Sequence, residues 1–161
     1  MKKNKISKNW LIKRHRDSFF QQSKIQGYRS RSAFKLIEMN NKFKFLKQNT
    51  YLLDLGSSPG GWSQVARKKI SKGKILAVDI KMMEKIDKVF FLKGDLFDSL
   101  IYKKISNYFE KKADVVLSDM ATNTTGNKNL DTYKTGELCL KAMDLAQKIL
   151  QQDGVFLSKV F

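Results

Sequence analysis

From Tyr51 onward, short and nearly continuous apolar runs alternate with amphipathic stretches. The runs Tyr51–Leu55, Lys74–Ile80, Val89–Leu92, Asp114–Ser118 and Val155–Val160 predict strands, and Trp62–Ile70, Ser99–Glu110 and Thr132–Leu150 predict helices. Strands that are apolar on both faces need cover on both sides, and regular alternation with helices supplies it through right-handed crossovers. The expectation is an α/β fold, a Rossmann-like doubly wound parallel sheet. Two helices precede it, over Asn9–Lys24 and Ser30–Asn41, separated at Gly27. The second carries Ala33, Leu36 and Ile37 on one stripe, with Ser30 or Ser32 available as N-cap. The chain thus divides into a helical extension over residues 1–49, packed on a sheet-forming domain over residues 50–161.

Charge sharpens that division. The 161 residues hold 32 Lys or Arg against 15 Asp or Glu, a formal net charge of +17, while 42% hydrophobic and 11% aromatic content is enough to bury a core. Lysine outnumbers arginine 27 to 5, a bias that genome composition alone can produce, so the distribution says more than the sum. Residues 1–49 carry 14 basic side chains against Asp17 and Glu38, a net +12, and the remainder 18 against 13, a net +5. A basic segment of this kind gains free energy by displacing the counterions of a nucleic acid, so RNA is the expected partner. Trp10, Phe19, Phe20, Tyr28 and Phe34 are interleaved with the charge. They could stack on unpaired bases, but the commoner use is the apolar face of a helix docked on the main domain. One cysteine, Cys139, and one histidine, His15, cannot build a disulfide framework or a multi-thiolate zinc site, and no metal is expected. No apolar run is long enough to span a membrane, and the lysine-rich start lacks the apolar region of a secretory signal. A soluble, cytoplasmic monomer is expected.

The candidate chemistry lies in Leu52-Leu53-Asp54-Leu55-Gly56-Ser57-Ser58-Pro59-Gly60-Gly61-Trp62-Ser63, a strand, a glycine-containing turn and a helix start. Glycines let the backbone approach a ligand, and the helix start offers free N–H groups. Asp79 ends the next strand, where a carboxylate can accept from ribose hydroxyls, and Asp95 follows the third, where it could accept from an adenine amino group. For either aspartate alone, a loop or capping role is equally reasonable. Gly56 is followed by Ser57, Ser58 and Pro59 before the glycine pair, which is not the G-x-G-x-x-G of a pyrophosphate binder. That spacing suits S-adenosylmethionine better than NAD.

Four segments, Arg29-Ser30-Arg31-Ser32-Ala33-Phe34-Lys35-Leu36, Asp54 to Gln64, Ser118-Asp119-Met120-Ala121 and Ser158-Lys159-Val160-Phe161, occur in an order that resembles the FtsJ/RlmE-type S-adenosylmethionine-dependent ribose 2′-O-methyltransferases of large-subunit ribosomal RNA. The resemblance runs from Trp10 to Phe161. It implies that Gly60, Trp62, Asp79 and Asp95, together with Gly56 and Asp119, contact the cofactor. It also implies that Lys35, Asp119 and Lys159 match three members of a Lys-Asp-Lys-Glu catalytic tetrad. In that family a proline commonly follows the alanine where Thr122 stands here, and the chain continues for tens of residues past Lys159 to the glutamate and further strands. The strand character of Gly154–Phe161 is therefore expected to leave an open edge in a chain truncated at its C-terminus.

Methyl transfer from a sulfonium to a ribose hydroxyl requires an oriented nucleophile and a group to take its proton. A lysine serves as base once desolvation or a neighbouring cation lowers its pKa, whereas a nearby carboxylate opposes that shift. Lys159, in an otherwise apolar strand, is the expected base, and Lys35 the orienting cation. Lys35 lies three residues before Glu38, however, and apart from the resemblance a mere surface pair is the commoner use of such spacing. The resemblance implies 2′-O-methylation of a uridine in large-subunit ribosomal RNA within an assembled particle. An RNA-binding remnant without turnover, a nicotinamide-dependent oxidoreductase and a small-molecule methyltransferase are the alternatives.

Overall fold

The computed structural model describes residues 18–121 and 125–160. Two helices, α1 (Ser18–Ile25) and α2 (Ser32–Phe43), lead into β1 (Leu52–Leu55), α3 (Gly61–Lys69), β2 (Ile75–Asp79), β3 (Phe90–Lys93), α4 (Ser99–Tyr108), β4 (Ala113–Ser118), α5 (Lys128–Ile149) and β5 (Leu150–Ser158). The five strands form one sheet in the order β3-β2-β1-β4-β5. Every pairing is parallel, with Leu55 opposite Val78 on one side and Ser118 on the other. The doubly wound α/β architecture is as the sequence pattern requires.

Alternate residues of each strand feed two cores, because successive side chains point to opposite faces. On one face Leu52, Ile75, Val115 and Leu117 pack against Ala33 and Leu36 of α2 and Trp62, Val65 and Ala66 of α3. On the other, Leu53, Leu55, Val78 and Val116 meet Ile101 and Ile105 of α4 and Ala142, Leu145 and Ala146 of α5. Residues 33–46 therefore share a core with the sheet. Further bonds tie down the residues that precede α2: Gln64 accepts from the Arg29 N–H at 2.8 Å and donates to the Gly27 carbonyl at 3.1 Å. Phe34 is the hub of a small aromatic cluster with Phe19 and Tyr28, at centroid distances of 5.9 and 5.7 Å; of these rings Tyr28 packs against the core of the sheet, whereas Phe19 stays largely exposed. Trp10 and His15, and the start of the helix expected over Asn9–Lys24, lie outside the described residues.

Several boundaries differ from expectation for identifiable reasons. Neither Ser30 nor Ser32 caps α2 through its side chain: Arg31 occupies the cap position, and the two serine hydroxyls bond each other at 2.8 Å. α4 and α5 are capped by side chains, Asp98 accepting from the Leu100 N–H and Asn127 from those of Asn129 and Leu130. Capped by Asn127, α5 starts at Lys128, four residues before the expected Thr132. β5 begins at Leu150 rather than Val155, since Ala113 pairs with Leu150 and Val115 with Val155, so five steps on β5 answer two on β4. The intervening residues, Gln151 to Gly154, include Asp153 at φ 64°. Polar residues around a bulge read as a turn in sequence.

Trp62 shows how closely the N-terminal segment is joined to the body. Its indole is 3% exposed and donates through Nε1 to the Ser32 carbonyl at 2.8 Å, bridging α3 to the first residue of α2. Trp62→Phe keeps an aromatic ring there and removes the donor. It should lower unfolding stability by about 1–3 kcal/mol in urea titrations while leaving the surface of the strand ends intact.

Candidate active site at the carboxyl ends of the strands

In a parallel sheet the loops that leave the strands emerge at one edge, and β1 and β4 send theirs to opposite faces, toward α3 and α5. Gly56 makes the first turn at φ 71°, a backbone region that side chains disfavour. A Cβ there would lie 2.6 Å from Met120 Cγ and 2.8 Å from Met120 Cα, so only glycine lets the turn after β1 meet the loop after β4. Asp79 then joins the turn to the loop after β2. Its Oδ2 accepts from the Ser58 N–H at 2.9 Å and its Oδ1 from the Lys81 N–H at 2.7 Å. Asp95 accepts from the Phe97 N–H at 3.0 Å, which turns the chain after β3. Between these segments opens a cavity of about 440 Å³, walled by Gly56, Asp79, Asp95 and Asp119 together with Ile80, Phe97, Met120 and Leu138.

Gly60 and Trp62, both expected beside the cofactor, are not among the residues lining this cavity. The Trp62 indole faces α2 in the core, as described above. Gly60, at φ 113°, turns its missing side chain toward Arg29 and the loop after β2: a Cβ would lie 3.0 Å from Arg29 Nη1 and from Ile86 Cδ1. Sequence reasoning passed over Phe97, whose signal is an aromatic two residues past Asp95, and it assigned no role to Asp54.

Asp119 and Lys159 are 40 residues apart in sequence and become neighbours because Ser118 pairs with Ser158. The Lys159 N–H donates to the Ser118 carbonyl at 2.9 Å, and the Lys159 ammonium donates to Asp119 Oδ1 in a half-buried ion pair; Asp119 lines the cavity, and Lys159 stands beside it, outside the lining residues. Lys35 does not join them in this arrangement. It sits exposed on α2 with its ammonium 2.8 Å from Glu38 Oε2, and that hydrogen bond and charge hold the glutamate below its usual pKa. The pair is solvent-screened and readily opened.

The FtsJ-like methyltransferase family model matches residues 28–161. The ribosomal RNA large subunit methyltransferase E of Pelagibacter ubique is 47% identical over 161 residues, covering 100% of this chain and 79% of the relative. The protein of the same name from Alcanivorax borkumensis is 42% identical, covering 99% and 77%. The crystal structure of a ribosomal RNA methyltransferase from Plasmodium falciparum superposes with a TM-score of 0.77 at 35% identity, over 83% of this chain and 79% of that one.

The chain belongs to the FtsJ-like methyltransferase family.

In this FtsJ-like chain the residue with the most perturbed chemistry is one to which neither motif nor spacing assigned a role. Asp54 lies in β1, fully buried, with Oδ2 accepting from the Ser63 hydroxyl at 2.6 Å and Oδ1 without a partner among the described residues. Burial pushes its carboxyl from 3.8 up to about 7. The Ser63 hydrogen bond opposes the shift, and the charges of Asp119 and Asp79 add to it. A carboxyl raised in this sense favours folding fully below its unfolded pKa near 4 and loses that contribution as pH rises through about 7. Asp54→Asn should therefore gain stability relative to the parent protein as pH increases from 4 to 8, read from paired urea unfolding curves. A difference independent of pH would show that Asp54 is ionised throughout.

Proposed function

We propose that the protein transfers a methyl group from S-adenosylmethionine to the 2′-hydroxyl of a uridine in large-subunit ribosomal RNA. It acts as a cytoplasmic monomer on the assembled particle. The observation that carries this reading is the cavity at the strand ends, lined by Asp79, Asp95 and Asp119, with Lys159 paired to Asp119. The names of the relatives supply the class of substrate.

The cavity suits a nucleoside that carries an amino acid. Asp79 spends one acceptor site on each oxygen on backbone N–H groups, which leaves capacity for ribose hydroxyls. Asp95 bonds Phe97 through one oxygen, and the other is available to an exocyclic amine. Ile80 and Phe97 offer apolar surface to the faces of a purine. These residues would hold S-adenosylmethionine, which when bound supplies an electrophilic methyl on a sulfonium. The protein then has to align the acceptor hydroxyl and take its proton. Asp119 lines the cavity and holds Lys159 beside it, and Lys159 is the residue assigned to receive the hydroxyl proton as the oxygen gains the methyl and the sulfonium becomes a thioether. Lys35 reaches the acceptor ribose by releasing Glu38, and the basic segment over residues 1–49 grips the surrounding RNA.

Methyl-labelled S-adenosylmethionine incubated with large ribosomal subunits from cells lacking this modification should yield alkali-resistant 2′-O-methyl label in the RNA. Asp119→Asn or Lys159→Met should lower the rate by about 10²–10⁴. Cofactor binding without transfer would instead describe an RNA-binding protein that has kept the pocket and lost turnover. RNA affinity should fall on the order of a thousandfold between 50 and 200 mM salt if six or more phosphates are contacted. A small neutral acceptor would show almost no salt dependence.

A further inference from the structure

The loop over residues 80–88, between β2 and β3, has no helix or strand of its own, yet Ile80 and Lys81 line the cavity. Its carbonyls are held from outside. Ser58 Oγ donates to the Met82 carbonyl at 3.3 Å, and Arg67 Nε donates to that of Asp87 at 3.0 Å. Between them, Arg29 donates through Nη1 to the Glu84 carbonyl at 2.7 Å and through Nη2 to the Lys85 carbonyl at 3.0 Å. The same Nη1 reaches the Pro59 carbonyl at 3.3 Å in the glycine turn. One guanidinium therefore bridges the turn after β1 and the loop after β2, the two segments whose N–H groups also converge on Asp79. The missing side chain of Gly60 leaves room for it.

We propose that Arg29 is a positioning residue for the cofactor cavity rather than a contact to RNA. The inference rests on the cofactor reading above. Arginine stands here in a chain with 27 lysines and five arginines, and geometry explains the exception. Carbonyls of successive residues need donors on two separate nitrogens, which a planar fork has and a single ammonium lacks. The ion pair with Glu84, at 3.7 Å and with the Glu84 side chain 90% exposed, is incidental to this role.

Calorimetry with S-adenosylhomocysteine, RNA binding across a salt series with purified large-subunit ribosomal RNA, and hydrogen exchange at residues 80–88 test the proposal together. Arg29→Gln and Arg29→Lys should each weaken S-adenosylhomocysteine binding about tenfold, the scale of one charge-assisted hydrogen bond. Both should speed exchange in the loop without changing the salt slope of RNA binding, while Glu84→Gln leaves all three readouts unchanged. Arg29→Lys keeps the charge, so it separates the fork from the field and remains informative if Arg29→Gln fails to fold. Full cofactor affinity in Arg29→Lys overturns the proposal, as does a salt slope reduced by about one in Arg29→Gln, the mark of a lost phosphate contact. A parent protein that ignores S-adenosylhomocysteine defeats the cofactor reading instead. In that case unchanged loop exchange in the variants would still refute the role of Arg29.

Discussion

The parallel pairing of β1 with β4, Leu55 opposite Ser118, is the constraint on which the site depends. Both strands deliver their carboxyl ends to one edge of the sheet, and their following segments leave toward different faces. A crevice is the geometric result. Its floor closes only because Gly56 has no side chain to collide with Met120. The next pairing outward, Ser118 with Ser158, sets Asp119 beside Lys159. A slip of one residue would turn every strand side chain to the wrong core and separate the ion pair.

Charge is divided by function across this framework. The protein carries a net charge of +17, yet Asp54, Asp79, Asp95 and Asp119 gather at a single edge, and the charges of Asp119 and Asp79 add to the upward shift that burial gives Asp54. An acidic cleft in a basic body favours a small cationic ligand inside and a polyanion outside. The same arrangement leaves Asp54 costly to ionise, which Ser63 relieves only in part.

Much of the architecture was legible in sequence because fully buried parallel strands read as continuous apolar runs. Asp79, Asp95 and Asp119 were legible because they stand just past such runs. Other features depend on contacts that no local pattern encodes. Trp62 follows the glycine turn as a ligand-binding residue might, but it is the second residue of α3, and its side chain faces α2. Arg29 read as one basic residue among many, since its acceptors lie 30 to 56 residues away. The first half of β5 was hidden by Gln151 to Gly154, whose polarity belongs to an irregular pairing rather than a turn.

A crystal structure of the protein soaked with S-adenosylhomocysteine tests this account most directly. The expected result is ribose hydroxyls on Asp79, the adenine between Ile80 and Phe97, and the sulfur directed at the Asp119–Lys159 pair. Ligand density elsewhere, such as the cleft of about 340 Å³ between α4 and α5 lined by Tyr102 and Lys141, would contradict it.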